Sequence, residues 1–252
     1  MCRTICFFIV LYVTRSVKTV FNGETVTISH RPYQVALNYD WLWMAFHQCG
    51  GVIISPKYTI TAGHCFDTER DYYVRAGSEK STNLGVIYQI AATYKHPNYT
   101  AKPYTNDLAL LELKEEVKFM ETIKAIKMAW INRNFYNQTA NASGYGRTCL
   151  TCSVSETLLL ATLSTISMED CRSAWGKTKI LDSMICAIDQ RKSKSTICRG
   201  DSGGPVTIID RFWKDPVLVG VVSYGDDCIP ANPAIFSFIP AFRGWIKNVT
   251  GH

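Results

Sequence analysis

Residues 198–205 read CRGDSGGP. Two glycines follow Ser202, and Gly200 and Asp201 precede it, so the stretch predicts a tight turn that presents the serine hydroxyl. Backbone N–H groups of such a turn point toward the same place as the hydroxyl. Nucleophilic acyl transfer needs this combination of a nucleophile and donors for the developing oxyanion. A glycine-rich surface turn is the alternative interpretation, and residues upstream decide between the two.

A serine nucleophile needs a base and a group that orients the base. The candidate base is His64, within TAGHC at residues 61–65, and the candidate orienting carboxylate is Asp107, within NDLALLEL at residues 106–113. Taken alone, His64 would be read as a packed or surface histidine, and Asp107 as a cap at the start of a buried strand. All three motifs in the order His, Asp, Ser favour a catalytic triad.

Further segments extend the pattern along the chain. They read PYQVAL at residues 32–37, CGGVII at 49–54, GYG at 144–146, SYG at 223–225 and WI at 245–246. With these segments, the chain resembles the chymotrypsin-like (trypsin-fold) secreted serine proteases from about Val20 to the C-terminus. The resemblance implies an all-β fold of two six-stranded antiparallel β-barrels with a C-terminal α-helix. It also implies a serine endopeptidase that cleaves through an acyl-enzyme.

Composition agrees with an ordered globular protein that forms one large domain or two small ones. The chain has 252 residues, of which 47% are hydrophobic and 19% charged. The net charge of +6 is modest and its cations are dispersed, which argues against nucleic-acid binding. A short basic run at residues 191–194 is interpreted as a solvated loop. We expect a monomer whose partners are protein or peptide substrates and protein protease inhibitors, with no membrane contact.

The chain begins with a segment that is typical of a secretory signal peptide. Residues 5–13 are almost continuously apolar, Arg3 precedes them, and small residues end at Ser16, where we expect cleavage. The apolar run is too short to cross a bilayer, so the mature protein is expected to be secreted and extracellular. The expected parts are a signal peptide at 1–16, a short pro-segment at 17–19 and a peptidase domain at 20–252.

Short β-prone runs separated by Gly, Pro, Asn and Ser predict two series of strands. The first covers residues 33–39, 51–55, 58–62, 72–76, 86–94 and 108–113. The second covers 140–145, 157–166, 184–187, 205–209, 217–222 and 234–238. A short helix capped by Ser167 is expected to end at Ala174, and a second helix to follow Pro240. The resemblance places the first barrel at about 20–122, the second at about 130–239 and the final helix at about 240–250.

Ten cysteines in a secreted chain are expected to pair for the most part. Cys2 and Cys6 leave with the signal peptide. The resemblance implies three bridges: Cys49–Cys65, Cys171–Cys186 and Cys198–Cys228. The remaining Cys149 and Cys152 suggest a local structural disulfide, with a redox pair or half of a metal site as the alternatives.

The resemblance also assigns roles around the nucleophile. The N–H groups of Gly200 and Ser202 would form the oxyanion hole, and Ser223 would support Asp107. The substrate pocket would be formed by Thr196 at its floor, Ile197 beside it, and Ser223, Tyr224, Gly225 and Ala234 around it. Trypsin-like members carry an acid at the floor, so Thr196 predicts cleavage after apolar or aromatic residues. Asp226 and Asp227 near the rim could favour basic residues instead.

In the resembled family, activity follows insertion of a new N-terminal ammonium that pairs with the aspartate before the nucleophile, here Asp201. Comparison with the family's N-terminal motif makes Val20 the first residue of the active form. A cut after Lys18 would instead expose Thr19, one residue earlier. His47 would hold Asp201 in the pro-form. This atypical segment leaves a second class open, a protease-fold binding or regulatory protein with little catalysis.

Four glycosylation sequons begin at Asn98, Asn137, Asn141 and Asn248. In the segment where the family can bind calcium, residues 77–85, Glu79 is the one carboxylate and stands beside a lysine. A hard cation needs several oxygen ligands, so we predict neither a metal nor another cofactor.

Overall fold

The structure, a computed structural model, describes residues 23–101, 103–130, 134–176, 179–191, 194–212, 214–226 and 228–251. The predicted signal peptide and pro-segment, together with Val20 and Asp227, lie outside these residues. Among the described helices, none has the length and apolar character needed to cross a bilayer.

The first half of the chain has nine described strands, of which six close into a barrel. In chain order they are β1 (Glu24–Thr25), β2 (Gln34–Trp41), β3 (Met44–Ile53), β4 (Tyr58–Thr61), β5 (Tyr72–Ala76), β6 (Val86–Lys95), β7 (Thr100–Ala101), β8 (Tyr104–Thr105) and β9 (Ala109–Leu113). The closed order is β2-β3-β4-β9-β6-β5, and β7 pairs with β8 in a separate small hairpin. Core residues such as Val52, Ile60 and Leu110 fill the barrel interior.

The second half of the chain has seven described strands, of which six form another closed ring. They are β10 (Lys127–Met128), β11 (Thr139–Gly144), β12 (Leu159–Thr165), β13 (Met184–Ile188), β14 (Pro205–Ile209), β15 (Pro216–Tyr224) and β16 (Ala234–Phe238). The order is β12-β11-β14-β15-β16-β13, and a β12–β13 pairing closes it. Along β12, Leu159, Ala161 and Leu163 point inward and alternate with half-buried residues, as the period of two in a strand requires.

Two helices follow from the local sequence. Helix α1 (Met168–Trp175) begins after Ser167, whose Oγ accepts the N–H of Asp170 at 3.0 Å. Helix α2 (Ile239–Thr250) has Pro240 in its first turn, where no N–H is needed, and ends at Gly251 in the left-handed conformation. Phe242 and Ile246 form its buried face.

Chain segments cross between the barrels and hold them together. β1 pairs with β12 of the second barrel, and α2 packs Phe242 and Ile246 into the core of the first barrel. β10 pairs in parallel with β15. The predicted fold class is confirmed, although Glu24 and Thr25, assigned to the first barrel in the sequence analysis, pair with the second.

The first hairpin is longer than the sequence predicted. The strand expected at residues 51–55 begins seven residues earlier, at Met44, and pairs with β2 along its length. Residues 44–50 read MAFHQCG, in which apolar and polar side chains do not alternate, so the sequence pattern did not reveal this part of the strand. The extra length carries the chain from the barrel to an exposed turn at Leu42 and Trp43.

Candidate active site

His64 and Asp107 come from neighbouring strands of the first barrel. His64 lies on a short 3-10 helix, Gly63–Phe66, that follows β4, and Asp107 lies just before β9, which pairs with β4. His64 Nδ1 is 2.8 Å from Asp107 Oδ2, and the backbone N–H of His64 donates to Oδ1 at 2.9 Å. Both oxygens of the carboxylate therefore hold the same residue, which fixes the orientation of the imidazole.

Two serines of the second barrel also hold Asp107. Ser223 Oγ donates to Asp107 Oδ2 at 2.5 Å, and Ser237 Oγ donates to the main-chain carbonyl of Asp107 at 2.6 Å. Burial would raise the pKa of Asp107, but hydrogen bonds from His64 and Ser223 outweigh it and lower the pKa below the ordinary value. The carboxylate is therefore ionised throughout the neutral range.

Ser202 lies in the turn before β14, held against the first barrel. Its carbonyl accepts the N–H of Gly50 at 2.7 Å, while the next residue, Gly203, donates to Val222 O at 2.8 Å. Gly203 has φ +80, and a Cβ there would lie 2.1 Å from Thr61 Oγ1. Only glycine fits this position, so the predicted tight turn is present.

Ser202 and His64 line one cleft of about 260 Å³ between the barrels. Among the described residues, no hydrogen bond joins Ser202 Oγ to the His64 ring. Apo geometry of this kind is compatible with proton transfer, because such contacts often tighten when substrate binds.

Gly200 has φ +99, a conformation that favours glycine, and its carbonyl lies 2.8 Å from His47 Nε2. Within the described part of the chain, the N–H groups of Gly200 and Ser202 donate to no acceptor. The two predicted oxyanion donors are therefore available to a ligand. The carbonyl of the preceding residue, Arg199, is held at 2.8 Å by the N–H of Arg147.

Asp201 is buried with its carboxylate against two glycines. The N–H groups of Gly146 and Cys198 donate to its two oxygens at 2.7 and 2.8 Å. A Cβ at Gly144 or Gly146 would lie within 2.4 Å of the carboxylate. Burial raises the pKa of Asp201 to about 6, although the two N–H donors oppose the shift.

The predicted activation residues are only partly brought together. Val20 lies outside the described residues, and His47 binds the carbonyl of Gly200 instead of Asp201. The pairing of His47 with Asp201 stays a prediction for the pro-form. Burial lowers the pKa of His47 to about 4, despite the contact with Gly200 O, so the imidazole is neutral at neutral pH.

Four of the six predicted pocket residues line the cleft: Ile197, Ser223, Tyr224 and Gly225. Thr196, predicted at the pocket floor, and Ala234 are buried and are not among the residues that line the cleft. A Cβ on Gly225 would lie 3.5 Å from Ile197 Cδ1, so Ile197 narrows the space that Gly225 leaves open. Asp226 accepts the side-chain N–H of Asn232 at 3.0 Å.

The sequence analysis missed a row of rings beside the pocket. The Tyr104 ring lies 5.0 Å from that of His64 and 5.9 Å from that of Tyr224, and Tyr224 lies 5.6 Å from Trp175. Burial raises the pKa of Tyr224 to about 12. The motifs singled out His64 and Tyr224, but none marks Tyr104 or Trp175, which come from two other segments of the chain.

A buried carboxylate, Asp189, anchors the loop that precedes Thr196. Asp189 accepts the side-chain N–H of Arg191 at 2.9 Å and Ser195 Oγ at 2.7 Å. Burial opposes ionisation, but these hydrogen bonds hold the pKa of Asp189 well below its ordinary value. The basic run expected to be a solvated loop therefore begins with an anchored arginine, and an acid two residues before Arg191 was the available signal.

The structure contains the four predicted disulfides: Cys49–Cys65, Cys149–Cys152, Cys171–Cys186 and Cys198–Cys228. Cys149 and Cys152 are partly exposed, whereas the other six cysteines are buried. Sulfur atoms of Cys49 and Cys65 lie near the His64 ring, but a disulfide has no thiolate to offer a metal.

The four sequon asparagines differ in exposure. Asn98, Asn137 and Asn248 are exposed. Asn141 is half-buried within β11, and its Oδ1 accepts Thr162 Oγ1 at 3.2 Å. Glycosylation of all four stays a prediction, with Asn141 the least accessible position.

Comparison with known proteins matches the trypsin family model to residues 20–246. The chain is 32% identical over 241 residues to trypsin 5G1 of Aedes aegypti, covering 94% of this chain and 87% of that protein. It is 33% identical over 233 residues to trypsin alpha of Drosophila erecta, covering 90% and 86%. Trypsin CFT-1 of Choristoneura fumiferana is 30% identical over 251 residues, covering 96% and 95%.

Proposed function

The chain belongs to the trypsin family and is a serine endopeptidase at the level of that family, and we propose that it cleaves peptide bonds through Ser202, His64 and Asp107. The observation that carries the proposal is the hydrogen-bonded His64–Asp107 pair, which shares one cleft with Ser202. A nucleophile, a base and an oriented carboxylate in one cleft supply what acyl transfer requires.

In the proposed reaction, Ser202 Oγ attacks the substrate carbonyl carbon while its proton passes to His64 Nε2. His64 then gives this proton to the leaving amine as the C–N bond breaks, which leaves an acyl-enzyme on Ser202. Water repeats the sequence on the ester and restores the serine. Asp107 stays ionised, keeps the proton on Nδ1 and stabilises the imidazolium.

The negative charge on the substrate oxygen would be stabilised by the N–H groups of Gly200 and Ser202. Both donors are without an acceptor in the described part of the chain, and the position of Gly200 is set by its contacts with His47 and the adjacent backbone. Donors fixed in advance of the reaction need no reorganisation when the charge develops.

We propose cleavage after apolar or aromatic residues. No carboxylate lines the described part of the cleft, and Ile197 narrows the pocket beside Gly225. A buried Lys or Arg side chain would therefore lack a partner. The relatives are named trypsins, so peptides that differ only before the cut are the direct test. Preference for Phe, Tyr, Leu or Met supports the assignment, and preference for Arg contradicts it.

We also propose that a new N-terminus controls activity and that the protein is secreted after loss of residues 1–16. The buried carboxylate of Asp201 has an unfavourable charge that an ammonium would compensate. Forms beginning at Val20, at Thr19 and at Val17, the last of which keeps the pro-segment, should be compared. The form beginning at Val20 should be the fastest, and equal rates in all three would contradict control by the terminus.

Labelling with a fluorophosphonate tests the central assignment. The probe should attach to Ser202 in the processed protein, and Ser202→Ala should abolish labelling and lower kcat/KM by orders of magnitude without unfolding the protein. A processed protein that folds but neither reacts nor cleaves peptides would instead be a protease-fold binding protein.

A further inference from the structure

The hairpin between β2 and β3 ends in four large apolar residues that face solvent. Trp41, Leu42 and Met44 are more than half exposed, and Trp43 is fully exposed. We call residues 41–44 the apolar tip. An exposed cluster of this kind, unlike a single exposed apolar residue, marks a surface that binds something.

Leucine and tryptophan are unusual residues for the backbone conformation of this turn. Leu42 and Trp43 form the two-residue turn with φ values of 46° and 69°. Turns with two left-handed residues favour Asn-Gly, because a side chain strains this conformation. Neither burial nor turn geometry accounts for leucine and tryptophan here, so a binding role is the remaining physical reason for them.

A groove of about 670 Å³ lies between the apolar tip and strands β5 and β6. Trp41, Trp43, Tyr73, Arg75 and Ile87 are among its lining residues. Exposed Leu84 and Val86 continue the apolar surface at the start of β6. Asp40 and Arg75 are its charged lining residues, and the rest of the lining suits aliphatic and aromatic side chains.

Contacts at the base of the hairpin hold the groove in shape. Tyr73 OH donates to Asp40 Oδ1 at 2.8 Å, which ties β5 to the hairpin. Phe46 stacks on Tyr39 at 5.6 Å and lies 6.3 Å from Trp41. A surface that is already ordered loses little entropy when it binds a ligand.

Strand β3 connects the apolar tip with the nucleophile. It begins at Met44, and further along it His47 contacts Gly200 O while Gly50 donates to Ser202 O. Six residues separate Gly50 from Met44, which corresponds to about 20 Å of extended strand. An extended substrate held in the cleft would need about six residues to cover that distance.

We propose that the apolar tip and its groove bind an apolar stretch of the polypeptide substrate, about six or more residues from the bond that is cut. This inference rests on the proposed function. Its basis is the continuity along β3 from Ser202 to an ordered, apolar and exposed groove. The protein would then favour long substrates that carry Leu, Phe or Trp at this distance over short peptides.

The test uses one quenched fluorescent peptide that the processed protein cleaves. A tail of alternating Leu and Phe, or a matched tail of Ser and Asn, is attached at either end through a six-residue Gly-Ser spacer. For one of the two attachment points, the peptide with the apolar tail should have a KM about tenfold lower than the peptide with the polar tail, with kcat unchanged.

The double variant Leu42→Asn, Trp43→Gly removes the apolar side chains and suits the left-handed turn. It should melt at a higher temperature than the wild type and cleave the untailed peptide equally well. Its KM should be the same for the apolar-tailed and the polar-tailed peptide. Phe212→Ser is the control, because Phe212 is an exposed aromatic beyond β14 on the second barrel. This control should keep the full tenfold difference in KM between the two tails.

Equal KM values for apolar and polar tails at both ends would overturn the proposal, as would an advantage that survives in the double variant. Tip-dependent self-association in sedimentation, or tip-dependent binding to phosphatidylcholine vesicles, without a tail effect would assign the surface to another occupant and also overturn it. Failure to cleave any peptide would instead contradict the proposed function.

Discussion

Ser223 of the second barrel donates a 2.5 Å hydrogen bond to the carboxylate of Asp107 in the first barrel. Ser237 holds the main-chain carbonyl of the same residue. The carboxylate that orients His64 is therefore positioned by both barrels, and its geometry depends on how they dock.

Replacing Ser223 by alanine should lower kcat/KM about tenfold, because the Asp107 carboxylate loses the hydrogen bond by which the second barrel helps to hold it in place. Loss of this hydrogen bond should also raise the pKa of Asp107, which Ser223 helps to lower. Stopped-flow or steady-state peptide hydrolysis across pH measures both effects. Ser81→Ala removes a buried hydroxyl far from the cleft and should leave kcat/KM unchanged. Unaltered kinetics in Ser223→Ala would contradict a positioning role.

Asp201 and His47 should make opposite contributions to stability in a form that lacks an ammonium at Asp201. The folded-state pKa of Asp201 is raised from 3.8 to about 6, so its contribution is present below pH 4 and lost as pH rises through 6. The pKa of His47 is lowered from 6.5 to about 4, so its contribution is present above pH 6.5 and lost as pH falls through 4.

Single variants should separate these two contributions. In Asp201→Asn only the His47 effect remains, so the free energy of unfolding should rise by about 2 kcal/mol from pH 4 to pH 6.5, relative to wild type. In His47→Gln it should fall over the same range. Urea unfolding at several pH values gives the slopes. Parallel pH dependence in all three proteins would show that neither group titrates as described.

Gly203→Ala should destabilise the fold by about 3 kcal/mol or more, because the new Cβ would meet Thr61 Oγ1 at 2.1 Å and Gly50 O at 2.4 Å. The matched change is Gly244→Ala in α2, where a Cβ meets nothing within 4 Å. That variant should gain about 0.5–1 kcal/mol from helix propensity. Chemical denaturation compares the two, and a harmless Gly203→Ala would mean that the turn can rearrange.

The four disulfides should contribute unequally to stability. Cys149 and Cys152 are three residues apart and partly exposed, so their serine double variant should change the free energy of unfolding by less than about 1 kcal/mol. Cys171 and Cys186 are buried and fifteen residues apart, and their loss should cost about 3 kcal/mol. Equal losses measured in urea would contradict this ranking.

Local motifs predicted the fold through the family that they resemble, and they also indicated the proposed triad residues, which the structure brings to one cleft. The CRGDSGGP turn, the histidine motif and the acid before β9 are short, and each acts within its own segment. Strands with apolar alternation, such as β12, were located to within two residues. The first hairpin was underestimated, because Met44 to Gly50 has no such alternation, and pairing with β2 determines its conformation.

Features that depend on distant segments could not be predicted. Tyr104, Tyr224 and Trp175 form one row only after the two barrels dock. Thr196 was placed at the pocket floor by counting back from Ser202. Thr196 is buried and does not line the cleft, and it follows Ser195, which is hydrogen-bonded to Asp189 across a turn that no local motif indicated.

Helix α2 has a consequence for how the protein is made. Phe242 and Ile246 belong to the last part of the chain, yet they complete the core of the barrel that is synthesised first. On a ribosome, the first barrel would emerge with part of its interior open, and β1 would have no partner strand until β12 has been synthesised. The first barrel should therefore complete its core only after α2 has been synthesised, so folding of the two barrels is coupled through the last helix.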